Sequence, residues 1–220
     1  VRRALLHFVV VGGSYSGVEV AAEFNEFMRE GTRQYRNLRE DDVRVTIVDR
    51  NERLLPPLPE TLAEYATREM KAAGVEVRLN DSVSRIEADR VEFANGDVEP
   101  ASTVVWCAGI AQAPLLKESV FAKDKRGYLL SEKDFRLKGW PNVWGIGDCT
   151  VNLTPDGQPY AATAQNAVRM GKHCAANLRR AIDRKPTKDF DFKPLGSLAP
   201  LGRGKAVAEV MGVRLRGFPA

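Results

Sequence analysis

The sequence predicts an α/β fold, with a parallel sheet that carries a small β-hairpin appendage. β-Branched runs of strand length lie at His7–Val11, Asp42–Asp49 and Val75–Leu79. Glu60–Ala73 has helical periodicity and separates the second run from the third, while Asn95-Gly96 is a strong hairpin-turn signal. Strands that alternate with helices favour a parallel sheet.

The first run leads directly into a glycine-rich turn and a helix, within HFVVVGGSYSGVEVAAE from His7 to Glu23. Gly12 allows a tight turn, and Gly17 allows the new helix to pack closely on the strand. A helix N-terminus carries unpaired N–H groups and a partial positive charge of roughly half a unit. This turn is therefore a candidate site for a pyrophosphate.

Ser14 departs from the dinucleotide-binding fingerprint G-x-G-x-x-G, which requires glycine at its second position. Its hydroxyl could donate a hydrogen bond to a phosphate oxygen, but the side chain also takes space where backbone and pyrophosphate approach. A strand–turn–helix unit with no ligand is the alternative interpretation of this stretch.

The second run ends on a carboxylate, Asp49. An acid at this position of a dinucleotide fold accepts hydrogen bonds from the adenosine ribose hydroxyls and repels a 2′-phosphate, which favours NADH over NADPH. Asp49 follows Gly17 by 32 positions rather than the usual ~20, because a charged extension at 25–42 lengthens the helix and loop. Arg50 and Arg53 could instead hold a 2′-phosphate, so NADPH remains an alternative ligand.

After the third strand, short runs at Val83–Ile86 and Arg90–Phe93 supply the appendage, and Thr103–Trp106 supplies a further apolar strand. In the second half of the chain, strands are expected at Gly127–Leu130 and Val143–Ile146. A long helix with basic last turns is expected at 161–182, and no long periodic element follows Phe190.

Composition excludes several classes of function. The 220 residues are 44% hydrophobic and 28% charged, and the net charge of +4 arises without a block of like charge, so nucleic-acid binding is not indicated. No run of eighteen apolar residues is present, so no membrane-spanning helix is expected. Three dispersed cysteines and two histidines do not favour a zinc site, and they suit a reducing cytosol.

Six stretches in a fixed order carry a resemblance to a known family. They are VVVGGSYSGVEVAAEF, VTIVDRNERLLP, TVVWCAGI, NVWGIGDCT, ATAQNAVRMGKHCAANL and LGSLAPLGRGKAVAEVMGVRLRGF. Together they resemble the flavoproteins with two dinucleotide-binding domains, and within these the type II NADH dehydrogenases (NADH:quinone oxidoreductases).

The resemblance implies a Rossmann-like NAD(H)-binding domain at 1–112 and the C-terminal portion of a split FAD-binding domain at 113–220. The residues that it assigns to the NADH pyrophosphate are Gly12, Gly13, Ser14, Tyr15, Ser16 and Gly17. Asp49, with Arg50 beside it, would meet the ribose. Glu19, Ala108 and Gly109 would lie near the nicotinamide.

For FAD, the resemblance implies a hydrogen bond between Asp148, which follows Gly147, and the ribityl chain. Thr163, Ala164 and Gln165 would approach the isoalloxazine ring, and Gln165 would also face a quinone pocket. Arg169 and Met170 stand where the family has glutamines, which leaves another electron acceptor open.

The expected activity is therefore hydride transfer from NADH to FAD, followed by electron transfer to a quinone. The family's first glycine motif and its membrane-binding C-terminal helices have no counterpart here, so a fragment of a cytoplasmic protein peripheral to the inner face of the cell membrane is expected. The sequence also allows a homodimer and does not decide between a monomer and a dimer. The alternatives are a non-catalytic dinucleotide-binding fragment and a flavin-dependent NADH oxidoreductase whose acceptor is oxygen or a small protein.

Overall fold

The computed structural model describes residues 1–220, which form two compact units. The first unit contains Val1–Gly109 and Leu195–Ala220, and the second contains Ile110–Pro194. The first boundary lies close to the one predicted after residue 112. The C-terminal segment differs from expectation, since it joins the first unit rather than the second. Its Ala199, Leu201 and Val207 are buried in the core of that unit.

The first unit is built from a parallel sheet, an antiparallel sheet and helices. Its first seven strands are β1 (His7–Val11), β2 (Arg44–Val48), β3 (Val75–Arg78), β4 (Val83–Ile86), β5 (Arg90–Phe93), β6 (Val98–Pro100) and β7 (Thr103–Trp106). Its helices are α1 (Arg2–Leu5), α2 (Tyr15–Thr32) and α3 (Glu60–Ala72), with a 3₁₀ turn at Glu40–Asp42.

The parallel sheet has the strand order β3-β2-β1-β7, which confirms the predicted α/β fold. Val11 of β1 pairs with Val48 of β2 on one side and with Trp106 of β7 on the other. The carboxyl ends of these three strands therefore lie side by side at one edge of the sheet.

Alternate residues of β1 face opposite layers of the first unit. Val10 lies in a helix-side core with Val18 of α2 and Met70 of α3. Val9 and Val11 lie in a second core, with Phe93 of the antiparallel sheet β4-β5-β6. Because both faces of β1 are covered, the strand reads as a continuous apolar run.

Leu195–Ala220, the C-terminal part of the first unit, forms a three-stranded antiparallel sheet whose strands lie side by side in chain order. The remaining strands of the chain are β8 (Leu129–Leu130), β9 (Arg136–Leu137), β10 (Trp140–Trp144), β11 (Thr150–Val151), β12 (Gly196–Pro200), β13 (Ala206–Val210) and β14 (Val213–Gly217). The last three form this C-terminal sheet.

The second unit contains the helices α4 (Pro114–Glu118) and α5 (Ala164–Ile182). Phe135, Met170, Cys174 and Phe190 form its buried core. The long helix begins three residues later than predicted, because the Thr163 hydroxyl caps it by accepting a hydrogen bond from the Asn166 N–H (3.3 Å).

The strands of the second unit are also shorter than or displaced from the predicted ones. Of the predicted strand Gly127–Leu130, only the last two residues pair, with β11. Gly127 instead belongs to a turn, where its φ is +89°. The strand expected at Val143–Ile146 runs from Trp140 to Trp144.

Candidate functional site

A cleft of about 740 Å³ lies in the first unit at the carboxyl edge of the parallel sheet. Open parallel sheets bind ligands at this edge. The residues that line it follow the ends of β1, β2, β3 and β7. They include Gly12, Ser14, Asp49, Arg50, Asn51, Asp81, Ser82, Val83, Trp106, Ala108 and Gly109.

The turn between β1 and α2 requires glycine at two of its positions. Gly12 has φ of +112°, and a Cβ placed on it would lie 2.9 Å from the Ala108 nitrogen. A Cβ on Gly17 would lie only 1.7 Å from the Gly12 carbonyl oxygen. These two residues bring α2 against the end of β1, which aims the first N–H groups of the helix at the cleft.

Ser14 is the N-cap residue of α2, but its side chain makes no capping hydrogen bond. It is exposed and borders the cleft, so its hydroxyl can hydrogen-bond a ligand there. Ser16 is also exposed. Tyr15 is half-buried with its ring against the helix-side core, and its hydroxyl is buried without a hydrogen-bond partner.

Asp49 lies at the glycine turn. Its Oδ2 accepts a hydrogen bond from the Gly13 N–H (2.5 Å), and its Oδ1 accepts one from the Asn51 N–H (2.7 Å). A carboxylate oxygen has two acceptor positions, so each oxygen can still accept a ligand hydroxyl. The predicted acid and the predicted glycine turn thus meet in one cleft, with the exposed Arg50 beside them.

The proline-rich loop after Asp49 braces the glycine turn. The Leu55 N–H donates to the Gly13 carbonyl oxygen (2.7 Å), and the side chains of Leu54 and Leu55 are fully buried. A Cβ on Gly13 would lie 2.7 Å from Leu54 Cδ2. The sequence analysis gave Leu54 and Leu55 no role of their own, although the paired leucines between charged residues and prolines were a visible signal.

On the other side of β1, the chain leaves β7 in a small-residue turn. The Cys107 N–H donates to the Val11 carbonyl oxygen (2.8 Å) and keeps the turn against β1. Gly109 has φ of +77° and open space around it, so glycine is needed here for the backbone conformation and not for close packing. Glu19 lies on the half-buried part of α2, and burial raises the pKa of its carboxyl above the ordinary value.

The second unit contains a smaller cavity of about 230 Å³. A 3₁₀ turn at Gly147–Cys149 and the start of α5 border it. Gly147 has φ of +68°, and the Thr150 hydroxyl donates to its carbonyl oxygen (3.2 Å). Asp148 is exposed, and its carbonyl oxygen accepts a hydrogen bond from the buried Gln112 side chain (3.0 Å).

Asn166 presents an unsatisfied acceptor beside this cavity. It is 2% exposed, and its Nδ2 donates to the Ala161 carbonyl oxygen (2.9 Å). Since only the amide nitrogen can face a carbonyl oxygen, the other atom is the oxygen, Oδ1, and it has no hydrogen-bond partner. Buried acceptors are normally paired, so this atom indicates a donor supplied from the cavity.

Of the other predicted residues at the start of α5, Thr163 borders the cavity, Ala164 is exposed and Gln165 is half-buried. Arg169 lies with its guanidinium 4.3 Å from the centre of the Phe192 ring, and Met170 is buried in the core. The structure thus groups Gly147, Asp148 and Thr163 around one cavity.

A third cluster combines His7, Glu76 and Glu99, whose ligand atoms lie within 4.8 Å of one another. Both histidine nitrogens already have partners, the Pro100 carbonyl oxygen (2.9 Å) and the Thr46 hydroxyl (2.8 Å). The two carboxylates pair with Arg44 at 2.7 and 2.8 Å. These groups satisfy one another as an ion-pair network, and burial lowers the pKa of His7.

Comparisons with known proteins show which family this chain resembles. The family model for pyridine nucleotide-disulphide oxidoreductases matches residues 2–171. A probable NADH dehydrogenase of Dictyostelium discoideum is 32% identical over 219 residues, which is 99% of this chain and 48% of that protein. A type II NADH:quinone oxidoreductase of Staphylococcus saprophyticus is 30% identical over 220 residues, covering 98% of this chain and 54% of that protein. The chain spans about half the length of these curated relatives.

Among solved structures, NDH2 from Plasmodium falciparum in complex with NADH has a TM-score of 0.83 with this chain at 19% identity. The match covers 98% of this chain and 60% of that one. A FAD-dependent pyridine nucleotide-disulphide oxidoreductase from Desulfovibrio vulgaris has a TM-score of 0.73 at 19% identity, over 93% of this chain and 48% of that one. At this identity the likeness shows the fold, and together with the family match over most of the sequence it leads to one conclusion. The chain belongs to the pyridine nucleotide-disulphide oxidoreductase family.

Proposed function

We propose that this chain binds NADH and contributes to the FAD site of an NADH:quinone oxidoreductase. The observation that carries the proposal is the hydrogen bond between the Gly13 N–H and the Asp49 carboxylate. It brings a pyrophosphate-binding turn and a ribose-binding acid into one cleft, as an adenine dinucleotide requires.

The cleft of the first unit supplies the groups that hold NADH. The N–H groups at the start of α2 face the pyrophosphate, and the two carboxylate oxygens of Asp49 accept the ribose hydroxyls. The negative charge of Asp49 disfavours the 2′-phosphate of NADPH. Gly109 leaves the nicotinamide an open approach, and Glu19 lies on the adjoining helix as a carboxyl whose pKa burial has raised.

In the second unit, the hydrogen-bonding groups around the cavity suit FAD. The Asn166 Oδ1 needs a hydrogen-bond donor, and a flavin ring carries an N–H group of that kind. Asp148 at the exposed 3₁₀ turn can accept hydrogen bonds from ribityl hydroxyls, and the N-terminus of α5, with Ala164 and Gln165, favours negative charge on a bound ring. When bound, FAD supplies the two-electron redox chemistry between NADH and the acceptor.

The protein contributes position rather than a nucleophile. Gly12, Gly17 and Asp49 fix the dinucleotide, while Gly147 and Thr163 shape the flavin cavity. Each unit thus positions its own reacting group, and positioning supplies a large part of the rate acceleration in such reactions. Half-buried Gln165 is the residue that we assign to the quinone side of the flavin.

Steady-state kinetics with the protein expressed at its full natural length tests this proposal. The purified protein should show the visible absorbance of oxidised flavin, and NADH should bleach it under anaerobic conditions. NADH oxidation should then require added quinone. A preparation with no flavin absorbance and no NADH-dependent quinone reduction would refute the proposal.

A different acceptor is the second candidate, and the residues after Gln165 favour it. Arg169 is held against Phe192 and donates to the Gln165 carbonyl oxygen (3.3 Å), while Met170 is buried. Neither offers the amide that the family has at these positions. A parallel assay with quinone, oxygen and a small redox protein separates the two candidates, because faster turnover with oxygen or the redox protein would favour the second.

With a quinone as substrate, we propose that the protein works at the inner face of the cell membrane, as a peripheral protein. No helix of the chain combines the length and apolar character needed to cross a bilayer. Sedimentation of the protein at its full natural length with lipid vesicles tests this membrane contact, and a protein that stays in the supernatant would contradict it. Light scattering of the same protein decides between a monomer and a homodimer.

A further inference from the structure

The order of the strands gives a bound dinucleotide a direction across the cleft. Asp49 follows β2 and the glycine turn follows β1, whereas β7 lies on the opposite side of β1 from β2. With the adenosine ribose at Asp49 and the pyrophosphate at the glycine turn, one half of a linear ligand is already placed. The other half, which carries the nicotinamide, therefore leaves the pyrophosphate towards the end of β7.

The turn that follows β7 lies directly against the glycine turn. A Cβ placed on Gly12 would lie 2.9 Å from the Ala108 nitrogen. The Cys107 N–H donates to the Val11 carbonyl oxygen (2.8 Å). Trp106, the last residue of β7, pairs with Val11 and lines the same cleft. The wall that continues beyond the pyrophosphate site is thus formed by the end of β7 and its turn.

Trp106 gives this wall a large apolar surface. The residue is 59% exposed, although tryptophan normally buries most of its surface. Its Nε1–H donates to the Ala108 carbonyl oxygen (2.8 Å), which satisfies the only polar group of the side chain. Because this hydrogen bond restrains the indole before a ligand binds, little side-chain entropy is lost when a ligand packs on it.

The nicotinamide half of the ligand has two parts, a ribose and a ring, and the ring suits the indole better. The ribose hydroxyls need hydrogen-bond partners, and the one polar group of Trp106 is already used. The nicotinamide ring of NAD⁺ is planar, aromatic and positively charged. An indole face attracts both an aromatic ring and a cation.

We propose that Trp106 is the surface against which the nicotinamide ring of the bound dinucleotide packs. This inference rests on the proposed NADH site and extends it by one binding residue. The indole covers one face of the nicotinamide ring, and the opposite face stays free for hydride transfer.

Calorimetric titration of the protein at its full natural length with NAD⁺ and with ADP-ribose isolates this contact, because the two ligands differ only in the nicotinamide ring. Trp106→Leu removes the aromatic plane and should weaken NAD⁺ binding about 5-fold, a value within the range of aromatic and cation–π contacts. ADP-ribose should bind this variant within about 2-fold of the wild type, since its own contacts are kept. Trp106→Phe keeps an aromatic ring and should weaken NAD⁺ binding less than about 3-fold.

Tryptophan fluorescence gives a second measurement. A positively charged pyridine ring in contact with an indole accepts charge from its excited state and quenches its emission. NAD⁺ should therefore quench the wild type and Trp140→Phe more strongly than ADP-ribose does, and this difference should disappear in Trp106→Leu. Trp140 is a matched control because it packs edge-on against Phe121 in the second unit. Circular dichroism establishes that each variant is folded.

The outcomes separate this inference from the proposed function. A wild type that binds neither NAD⁺ nor ADP-ribose would overturn both. A wild type that binds both ligands, with a folded Trp106→Leu variant whose NAD⁺ affinity stays within about 2-fold, would overturn the role of Trp106 and leave the dinucleotide site standing. Equal losses for NAD⁺ and ADP-ribose would place the indole away from the ring and would also overturn the inference. Equal quenching of the wild type by the two ligands would do the same, even if Trp106→Leu failed to fold.

Discussion

Gly17→Ala should both destabilise the protein and weaken NADH binding. The Cβ of an alanine would lie 1.7 Å from the Gly12 carbonyl oxygen, whereas real Cβ atoms essentially never approach closer than 3.0 Å. The start of α2 must therefore move by at least about 1.3 Å (3.0 − 1.7) away from the end of β1. That movement disturbs Val18 and Ala21, which are fully buried against the sheet.

The expected loss in the free energy of unfolding is about 1–3 kcal/mol, the usual range for an overpacked core. Displacement of the helix N–H groups should also weaken NADH binding by about 10-fold or more, since a hydrogen bond to a charged group contributes roughly 1.5–3 kcal/mol. Urea denaturation measures the first quantity, and titration with NADH measures the second.

Gly31→Ala provides a control on the same helix. No atom lies within 4 Å of a Cβ placed on Gly31. Alanine in a helix is more stable than glycine by roughly 0.5–1 kcal/mol, so this variant should gain stability and keep its NADH affinity. If Gly17→Ala unfolded at the same urea concentration as Gly31→Ala and bound NADH equally well, the close approach of α2 to β1 would be wrong.

Three further variants test the sites separately. Asp49→Asn should weaken NADH binding by about 10-fold, because one of the two N–H groups that Asp49 accepts from loses its acceptor. It should also lower the ratio of the dissociation constants for NADPH and NADH, because the negative charge is removed. An unchanged ratio would contradict this prediction. Asn152→Leu should lower the free energy of unfolding by about 1–3 kcal/mol, because the buried hydrogen bonds of Asn152 with the hydroxyls of Ser131 and Thr150 are both lost. Equal urea midpoints for the variant and the wild type would contradict this prediction. Burial holds the pKa of His7 below its ordinary 6.5, so the unfolded chain takes up the proton first as pH falls. Stability should therefore decrease as pH drops below about 6.5, and His7→Gln should show a smaller decrease between pH 7 and 5.5 in the same denaturation assay.

The sequence predicted the parts of the fold that depend on local chemistry. The β-branched run at His7–Val11 predicted a strand, and the structure has that strand with all five residues buried. Gly74, with φ of +87°, ends α3 as expected. The glycine motif and Asp49 were also expected at one edge of the sheet, because parallel strands bring their carboxyl ends together, and the Gly13 N–H does donate to the Asp49 carboxylate.

Residues whose role depends on distant neighbours could not be found in this way. Asn166 looks like an ordinary polar residue of a helix, and only the packing around it leaves its Oδ1 buried without a donor. Leu55 supports the Gly13 turn from a loop with no regular pattern. Trp106 was read as the end of a strand, and its exposure on the cleft wall became visible only with the surrounding residues in place.

By itself, the sequence determined the strand–glycine turn–helix unit, the acid at the end of the second strand and the α/β class, because each follows from backbone conformations and periodicities within a few residues. The tertiary structure alone decided that Leu195–Ala220 belongs with the first unit. The short strands of that segment have one apolar side that several surfaces could cover. Burial of Ala199 and Val207 beside α2 and α3 selects one of these surfaces, and that choice depends on contacts between residues far apart in the chain.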